Sequence, residues 1–252
     1  VTPPLIAVAH GSRDPRSARV VATAVSALRA QRPDLDVRLC FLDLNAPSVD
    51  QVLDAVAAEG HPSAVVVPML LGSAFHARVD LPGLLDAVRL RHPHLHVQQA
   101  DVLGQDTRLI DAVRDRIVEA GGSTGDSGLG VILAAVGSSD LATNARTRAL
   151  AESVVAGTSW SGGITCFATS AEPTVQQAIS TARHVGADRI VIAPWFLAPG
   201  LLTDRLSHAA ETCGPGITYA ATIGPHPGLL DVMLDRYWQT LALLQEFHAL
   251  SA

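Results

Sequence analysis

Two stretches of this 252-residue chain repeat one another at a constant offset of 126 residues. Leu5 to Ser12 (LIAVAHGS) lies over Val131 to Ser138 (VILAAVGS). Cys40, Phe41 and Pro47 lie over Cys166, Phe167 and Pro173. Val65 to Pro68 (VVVP) lies over Val191 to Pro194 (VIAP). Three separate anchors on one offset require an internal duplication, so the chain must form two units of one kind. The run Gly121 to Gly128 (GGSTGDSG) sits near the midpoint and reads as a flexible linker. The expected division is an N-terminal lobe over 1–120, a linker over 121–129 and a C-terminal lobe over 130–252.

Each half alternates short apolar runs with amphipathic ones. Leu5 to Ala9 is continuously apolar, as a strand buried on both faces must be. Asp14 and Pro15 then supply an N-cap and a first helical residue, and Ala18, Val21, Val25 and Leu28 recur at helical spacing. Further strands are expected over 37–42, 64–67 and 96–100, with helices after Pro47 and over 81–91 and 107–119. Strand–helix alternation predicts an α/β protein of two similar lobes, each a parallel sheet flanked by helices. In such a sheet ligands bind beyond the carboxyl ends of the strands.

That edge selects His10, Asp43 and His76, which follow the first, second and third strands of the first half. Their counterparts in the second half are Val136, Thr169 and Leu202, whereas Gly11, Ser12 and Pro68 keep their identity as Gly137, Ser138 and Pro194. The backbone-shaping residues recur and the three titratable groups do not. A single asymmetric site in the first half is therefore expected. Asp43 has a plain alternative role, capping a helix or pairing with an arginine. His92, His94 and His96 resemble a metal tract, but their position at the opposite edge reads as a polar helix-to-strand turn. His226 reads as a turn residue, and Cys40 and Cys166 as small core hydrophobes.

Composition narrows the partners. Apolar residues make up 48% of the chain, enough for buried cores, and the net charge is −6 with no basic block. Nucleic acid and anionic membrane are not expected partners. The longest apolar stretch, Ala64 to Phe75, is broken by Pro68 and Gly72 and too short to span a bilayer. Three cysteines without a paired spacing, and an N-terminus (VTPP) without signal-peptide character, read as cytoplasmic.

His10-Gly-Ser-Arg-Asp-Pro-Arg16, taken with the segment Pro68 to Pro82 (PMLLGSAFHARVDLP), resembles the sirohydrochlorin chelatases of the CbiX/SirB type. The resemblance runs through both halves. It implies a chelatase fold of two α/β lobes facing across a cleft, and a fused long form with one active half. It further implies insertion of a divalent metal into sirohydrochlorin: ferrous iron for siroheme, or cobalt on the way to cobalamin. His10 and His76 match the family's site histidines, and Asp43 stands where the family often has glutamate. The resemblance implies no permanent cofactor; Fe2+ or Co2+ would be the substrate metal.

The chemistry suits these residues. An ordinary imidazole titrates near ~6.5, so at neutral pH it can bind a metal or accept a pyrrole proton. Imidazole nitrogen suits Fe2+ and Co2+, and two histidines are too few for a permanent structural site. Asp43 would stabilise the cation or an imidazolium. Substrate carboxylates could pair with Arg13, Arg16 and Arg78, with Ser12 and Ser73 as hydrogen-bond donors. Phe75, Leu70, Leu71 or the second-half Trp195, Phe196 and Leu197 would meet the macrocycle. A monomer is expected, with a homodimer as the alternative. Two other functions remain: a non-catalytic two-lobed binder of metal or tetrapyrrole, and phosphoryl transfer through His10. Against the latter, Ala9 stands where Arg-His-Gly phosphatases carry arginine.

Overall fold

The computed structural model describes residues 2–72, 79–169 and 172–250, with side chains as far as 243. Among these residues the elements run in order: β1 (Leu5–Ala9), α1 (Pro15–Gln31), β2 (Val37–Phe41), α2 (Val49–Ala58), β3 (Ser63–Pro68), α3 (Leu81–Arg91), β4 (His96–Gln99), α4 (Thr107–Glu119), β5 (Leu129–Ala135), α5 (Leu141–Val155), β6 (Gly162–Phe167), α6 (Val175–His184), β7 (Arg189–Pro194), α7 (Leu201–Glu211), β8 (Ile217–Tyr219) and α8 (Pro227–Leu250). The strands form two four-stranded sheets, ordered β2-β1-β3-β4 and β6-β5-β7-β8. Every pairing is parallel.

Local signals set the element starts. Asp14 caps α1 by accepting from the Arg16 N–H, and Pro15 opens it. Ser48 and Gln51 form a reciprocal capping box at α2, and Thr174 and Gln177 repeat it at α6. The helix after Pro47 thus begins at Val49. Among the described residues no helix is long and apolar enough to cross a membrane.

The compact units divide elsewhere than at the glycine run. One comprises 1–106 with 225–252, the other 107–224. In the first unit, one face of the sheet packs Ile6, Val8, Cys40 and Val66 against Val52, Leu53 and Val56 of α2 and Leu81, Leu85 and Val88 of α3. The other face is covered by α1 and by α8, the last helix of the chain. Fully buried Tyr237 donates from its hydroxyl to the Pro3 carbonyl at 2.6 Å. Arg236 donates to the carbonyls of Val102 and Leu103.

In the second unit α6 and α7 cover one face, over Ile132, Cys166 and Ile192. There α4 packs against α5 and β7. Arg114 of α4 donates to the carbonyls of Ser153, Val154 and Ala156, satisfying the open C-terminal end of α5. The sequence places the divide at 121–129; the structure gives α4 to the second sheet and α8 to the first.

The glycine run is packed rather than loose. Gly121 (φ 94) ends α4, with Gly121 N–H to Val118 C=O and Gly122 N–H to Ile117 C=O, the two bonds of a Schellman stop. The indole of Trp160 donates to the Ser123 carbonyl at 2.7 Å, and Asp126 pairs with Arg189.

Candidate active site

Strand order fixes what meets at the carboxyl edge of the first sheet. β1 lies between β2 and β3, so the loops after all three strands leave side by side. The connections from β1 and β2 run to opposite sides of β1, which puts the switch in strand order between β1 and β3. His10 is the first residue beyond β1 and is exposed. The strand ladder continues past the strand ends: Leu42 N–H donates to Ala9 C=O and Asp43 N–H to His10 C=O at 3.0 Å. On the other side Met69 N–H donates to Val8 C=O.

The loop carrying His10 is pressed onto the loop carrying Asp43. Gly11 adopts φ 97, and a Cβ there would stand 1.8 Å from the Asp43 carbonyl oxygen. Only glycine meets both demands. Ser12 N–H donates to Asn45 Oδ1 at 2.7 Å. The Ser12 hydroxyl oxygen accepts from Asp14 N–H at 3.0 Å, so it also serves the turn into α1. Across the junction, Asn45 N–H bonds to Asp43 C=O around Leu44, a non-glycine residue at φ 63. A tight three-residue turn with positive φ is a strained conformation held by its surroundings.

Asp43 is exposed and its Oδ1 accepts from Leu44 N–H at 2.7 Å. It caps no helix, that role at α2 belonging to Ser48. Among the described residues it makes no ion pair. Arg13 is exposed beside His10, again without an ion pair among the described residues. Arg16 differs from its expected role in substrate binding: its guanidinium is held by the Asp14 carboxylate. The Arg16 hydrogen bond in turn holds the Asp14 carboxyl below the usual carboxylate range. His76, Ser73, Phe75 and Arg78 lie outside the described residues. Leu70 and Leu71 are half-buried and Trp195 is buried.

The second unit repeats this backbone without the chemistry. Gly137 (φ 90) faces the Thr169 carbonyl, with a virtual Cβ 2.2 Å from its oxygen. Val136 replaces the histidine and is 44% exposed. Thr169 replaces Asp43 and donates its hydroxyl to the Val136 carbonyl at 2.8 Å. Ser138 N–H still finds an amide oxygen, but from Asn144, inside α5, at 2.9 Å. Neither Asn45 nor Asn144 stood out in the sequence, because their positions do not correspond: Asn45 lies over Ala171, and Asn144 over Ala18.

The remaining histidines lie elsewhere. His92 ends α3 and His96 opens β4, the expected helix-to-strand turn, and His92 Nε2 lies 2.7 Å from Asp54 Oδ1. His226 Nδ1 accepts from Gly228 N–H at the start of α8. Cys40 and Cys166 are buried, which pushes both thiols up to about 12. Asp36, Glu59 and His61 converge near the amino edge of the first sheet. The Arg38 guanidinium already bridges both carboxylates there, at 3.0 Å from Asp36 and 2.9 Å from Glu59.

Known proteins are similar to this chain in sequence and in fold. The CbiX family model matches residues 4–120 and 130–240. The sirohydrochlorin ferrochelatase of Priestia megaterium is 27% identical over 232 residues, covering 90% of this chain and 86% of the relative. The sirohydrochlorin cobaltochelatase of the same organism is 25% identical over 240 residues, covering 91% of this chain and 77% of the relative. Among solved structures, SirB from Bacillus subtilis with Fe3+ superposes with a TM-score of 0.83 over 98% of both chains, at 24% identity.

Proposed function

The chain belongs to the CbiX family, and from that premise we propose that it is a sirohydrochlorin chelatase, a lyase that places a divalent metal in the macrocycle and releases two protons. Relatives that take iron and relatives that take cobalt match over nearly the same span. We assign Fe2+ as the first substrate metal, with Co2+ accepted, since imidazole ligands suit both.

The observation that carries the site assignment is the hydrogen-bonded junction of the first two loops, which sets His10 beside Asp43 at the edge where such sheets bind ligands. His10, with His76, which follows β3 in the sequence, receives the metal as it sheds water and takes protons from the two pyrrole N–H groups. A pair of imidazoles holds the ion weakly enough to release it to the macrocycle's four nitrogens. Asp43, a carboxylate without an ion-pair partner among the described residues, offsets the positive charge of the ion or of a protonated His10. Arg13 receives a substrate carboxylate, with Arg78, Ser12 and Ser73 as further polar contacts and Phe75 against the macrocycle face. The duplicated chain acts as a monomer, and its three free cysteines suit the cytoplasm.

Anaerobic protein given sirohydrochlorin with Fe2+ or Co2+ should convert the free-base absorption spectrum to that of the metallated product faster than the uncatalysed reaction. His10→Ala and His76→Ala should each slow it by about a hundredfold or more, the scale of a lost general base. Undiminished rates in both variants would remove the histidines from the mechanism. Stoichiometric binding without acceleration would favour a carrier, and a phosphohistidine at His10 would favour phosphoryl transfer.

A further inference from the structure

In both units the backbone N–H of the serine after the loop glycine is met by an asparagine side chain. The bond is Ser12 N–H to Asn45 Oδ1 at 2.7 Å in the first unit, and Ser138 N–H to Asn144 Oδ1 at 2.9 Å in the second. The need is the same, since a half-buried N–H at a sharp turn must have a partner. The supplier is not. Asn144 is the fourth residue of α5, buried, and returns a second bond from its amide to the Ser138 carbonyl at 2.6 Å. It therefore ties its loop to the helix that follows directly in the chain. The matching residue of α1 is Ala18, which has no amide to offer.

Asn45 meets that need from a different loop. It lies two residues beyond Asp43, in the connection from β2 to α2, and reaches across to the loop that carries His10. Its Oδ1 also stands 3.3 Å from the virtual Cβ of Gly11. Together with Asp43 N–H to His10 C=O and the close approach of Gly11 to the Asp43 carbonyl, it fixes the residues on both sides of the His10–Gly11 link to the 43–45 turn. In the unit without the histidine and the carboxylate, the asparagine serves one loop. In the unit that has them, it bolts the two together.

We propose that Asn45 is a positioning residue for metallation: it holds His10 and Asp43 in register by joining their loops, having taken over in this unit the anchoring that a helix asparagine performs in the other. The proposal rests on His10 acting in the reaction as set out above. It makes Asn45 responsible for turnover rather than for substrate affinity, because it touches neither metal nor macrocycle.

The test follows anaerobic sirohydrochlorin metallation with Fe2+ in purified full-length variants. Asn45→Ala should lower kcat about ten- to a hundredfold, the scale seen when supporting groups of a metal ligand are removed, with KM for sirohydrochlorin within about threefold. Moving the amide back to the helix, in the double variant Asn45→Ala with Ala18→Asn, meets the Ser12 N–H without joining the two loops and should leave kcat low. Asn144→Ala removes the equivalent bond in the second unit and should leave kcat per folded molecule unchanged. A folded Asn45→Ala variant with undiminished kcat overturns the proposal. So does an equal loss of kcat in Asn45→Ala and Asn144→Ala, which would mark both asparagines as merely structural. If Asn45→Ala fails to fold, the double variant and Asn45→Asp, which keeps an acceptor oxygen at the same reach, decide: turnover near that of the parent in Asn45→Asp, with low turnover in the double variant, supports the positioning role, and parent-like turnover in the double variant, or turnover in Asn45→Asp as low as that of His10→Ala, overturns it. His10→Ala separates the two levels. A large loss there with none in Asn45→Ala sinks this inference alone, and no loss in His10→Ala sinks the assignment of His10 and this inference with it.

Discussion

The carbonyl oxygen of Asp43 stands 1.8 Å from the point where a Cβ on Gly11 would be. The loop that carries the histidine and the loop that carries the carboxylate meet backbone to backbone at this point. The same contact recurs between Gly137 and Thr169, where a Cβ would stand 2.2 Å from the oxygen. The close approach is therefore a property of the duplicated fold, and the chemistry was placed on it in one copy.

Gly11→Ala must push the two loops apart and hold alanine at φ 97. A loss of about 3 kcal/mol or more is expected, since neither the backbone oxygen nor the dihedral can give cheaply. Urea unfolding checks the stability and the metallation assay the activity, which should fall further than the unfolded fraction explains. Gly137→Ala should cost a similar amount of stability while the folded molecules keep their turnover. Equal losses of turnover in the two variants would contradict a single site.

The place of His10 in the fold was legible in the sequence, and the reasons are local. Leu5 to Ala9 reads as a doubly buried strand from its composition alone, and its end therefore locates His10. The duplication then separates backbone need from chemistry, since Gly11 recurs as Gly137 while His10 does not recur. Helix ownership was not legible. An amphipathic stretch such as α4 shows that it has an apolar face and says nothing about which of two similar sheets that face will meet. The glycine run misled for a related reason. Its flexible composition hid a helix stop at Gly121 and a Trp160 indole anchored on Ser123. The Asn45–Ser12 bond was hidden because its counterpart in the repeat comes from another position.

The exchange of terminal helices predicts how fragments behave. Residues 107–224 are contiguous in the chain and form one compact unit. Expressed alone, this piece should unfold in a single cooperative urea transition. A fragment of 1–120 keeps its own sheet but lacks α8, with Tyr237 and the Arg236 contacts to Val102 and Leu103, and carries α4 without the sheet it covers. It should aggregate or unfold without cooperativity. A cooperative 1–120 fragment would show that α4 can cover the first sheet in place of α8.

Asp43→Asn separates the charge of this residue from its place in the turn. The amide oxygen can still accept from Leu44 N–H, so the thermal midpoint should move by no more than about 3 °C, roughly 1 kcal/mol for a chain of this size. Metallation should slow about ten- to a hundredfold, because the variant can no longer offset the charge of the ion or of a protonated His10. Asp43→Glu, which keeps the charge on a longer arm, should retain more activity than Asp43→Asn. A fully active Asp43→Asn would reduce Asp43 to a turn residue.

Acid should weaken the entrance to α1 through Asp14. Its carboxyl sits below the usual carboxylate range chiefly because the Arg16 side chain donates to it, with the Arg16 backbone N–H adding to the effect. A carboxyl whose folded value is depressed binds its proton less readily in the folded chain than in the unfolded one. The stability it contributes is therefore complete above the unfolded value of about 4 and is lost as pH falls from there towards the folded value. Asp14→Asn keeps a good N-cap side chain and removes the charge that Arg16 meets. The parent should be the more stable of the two at pH 7 and pH 5.5, by a constant margin, and that margin should shrink steadily below about pH 4. Urea midpoints of both proteins across this range measure it. A margin that is the same at pH 3 as at pH 7 would mean that the carboxylate charge adds nothing to the cap.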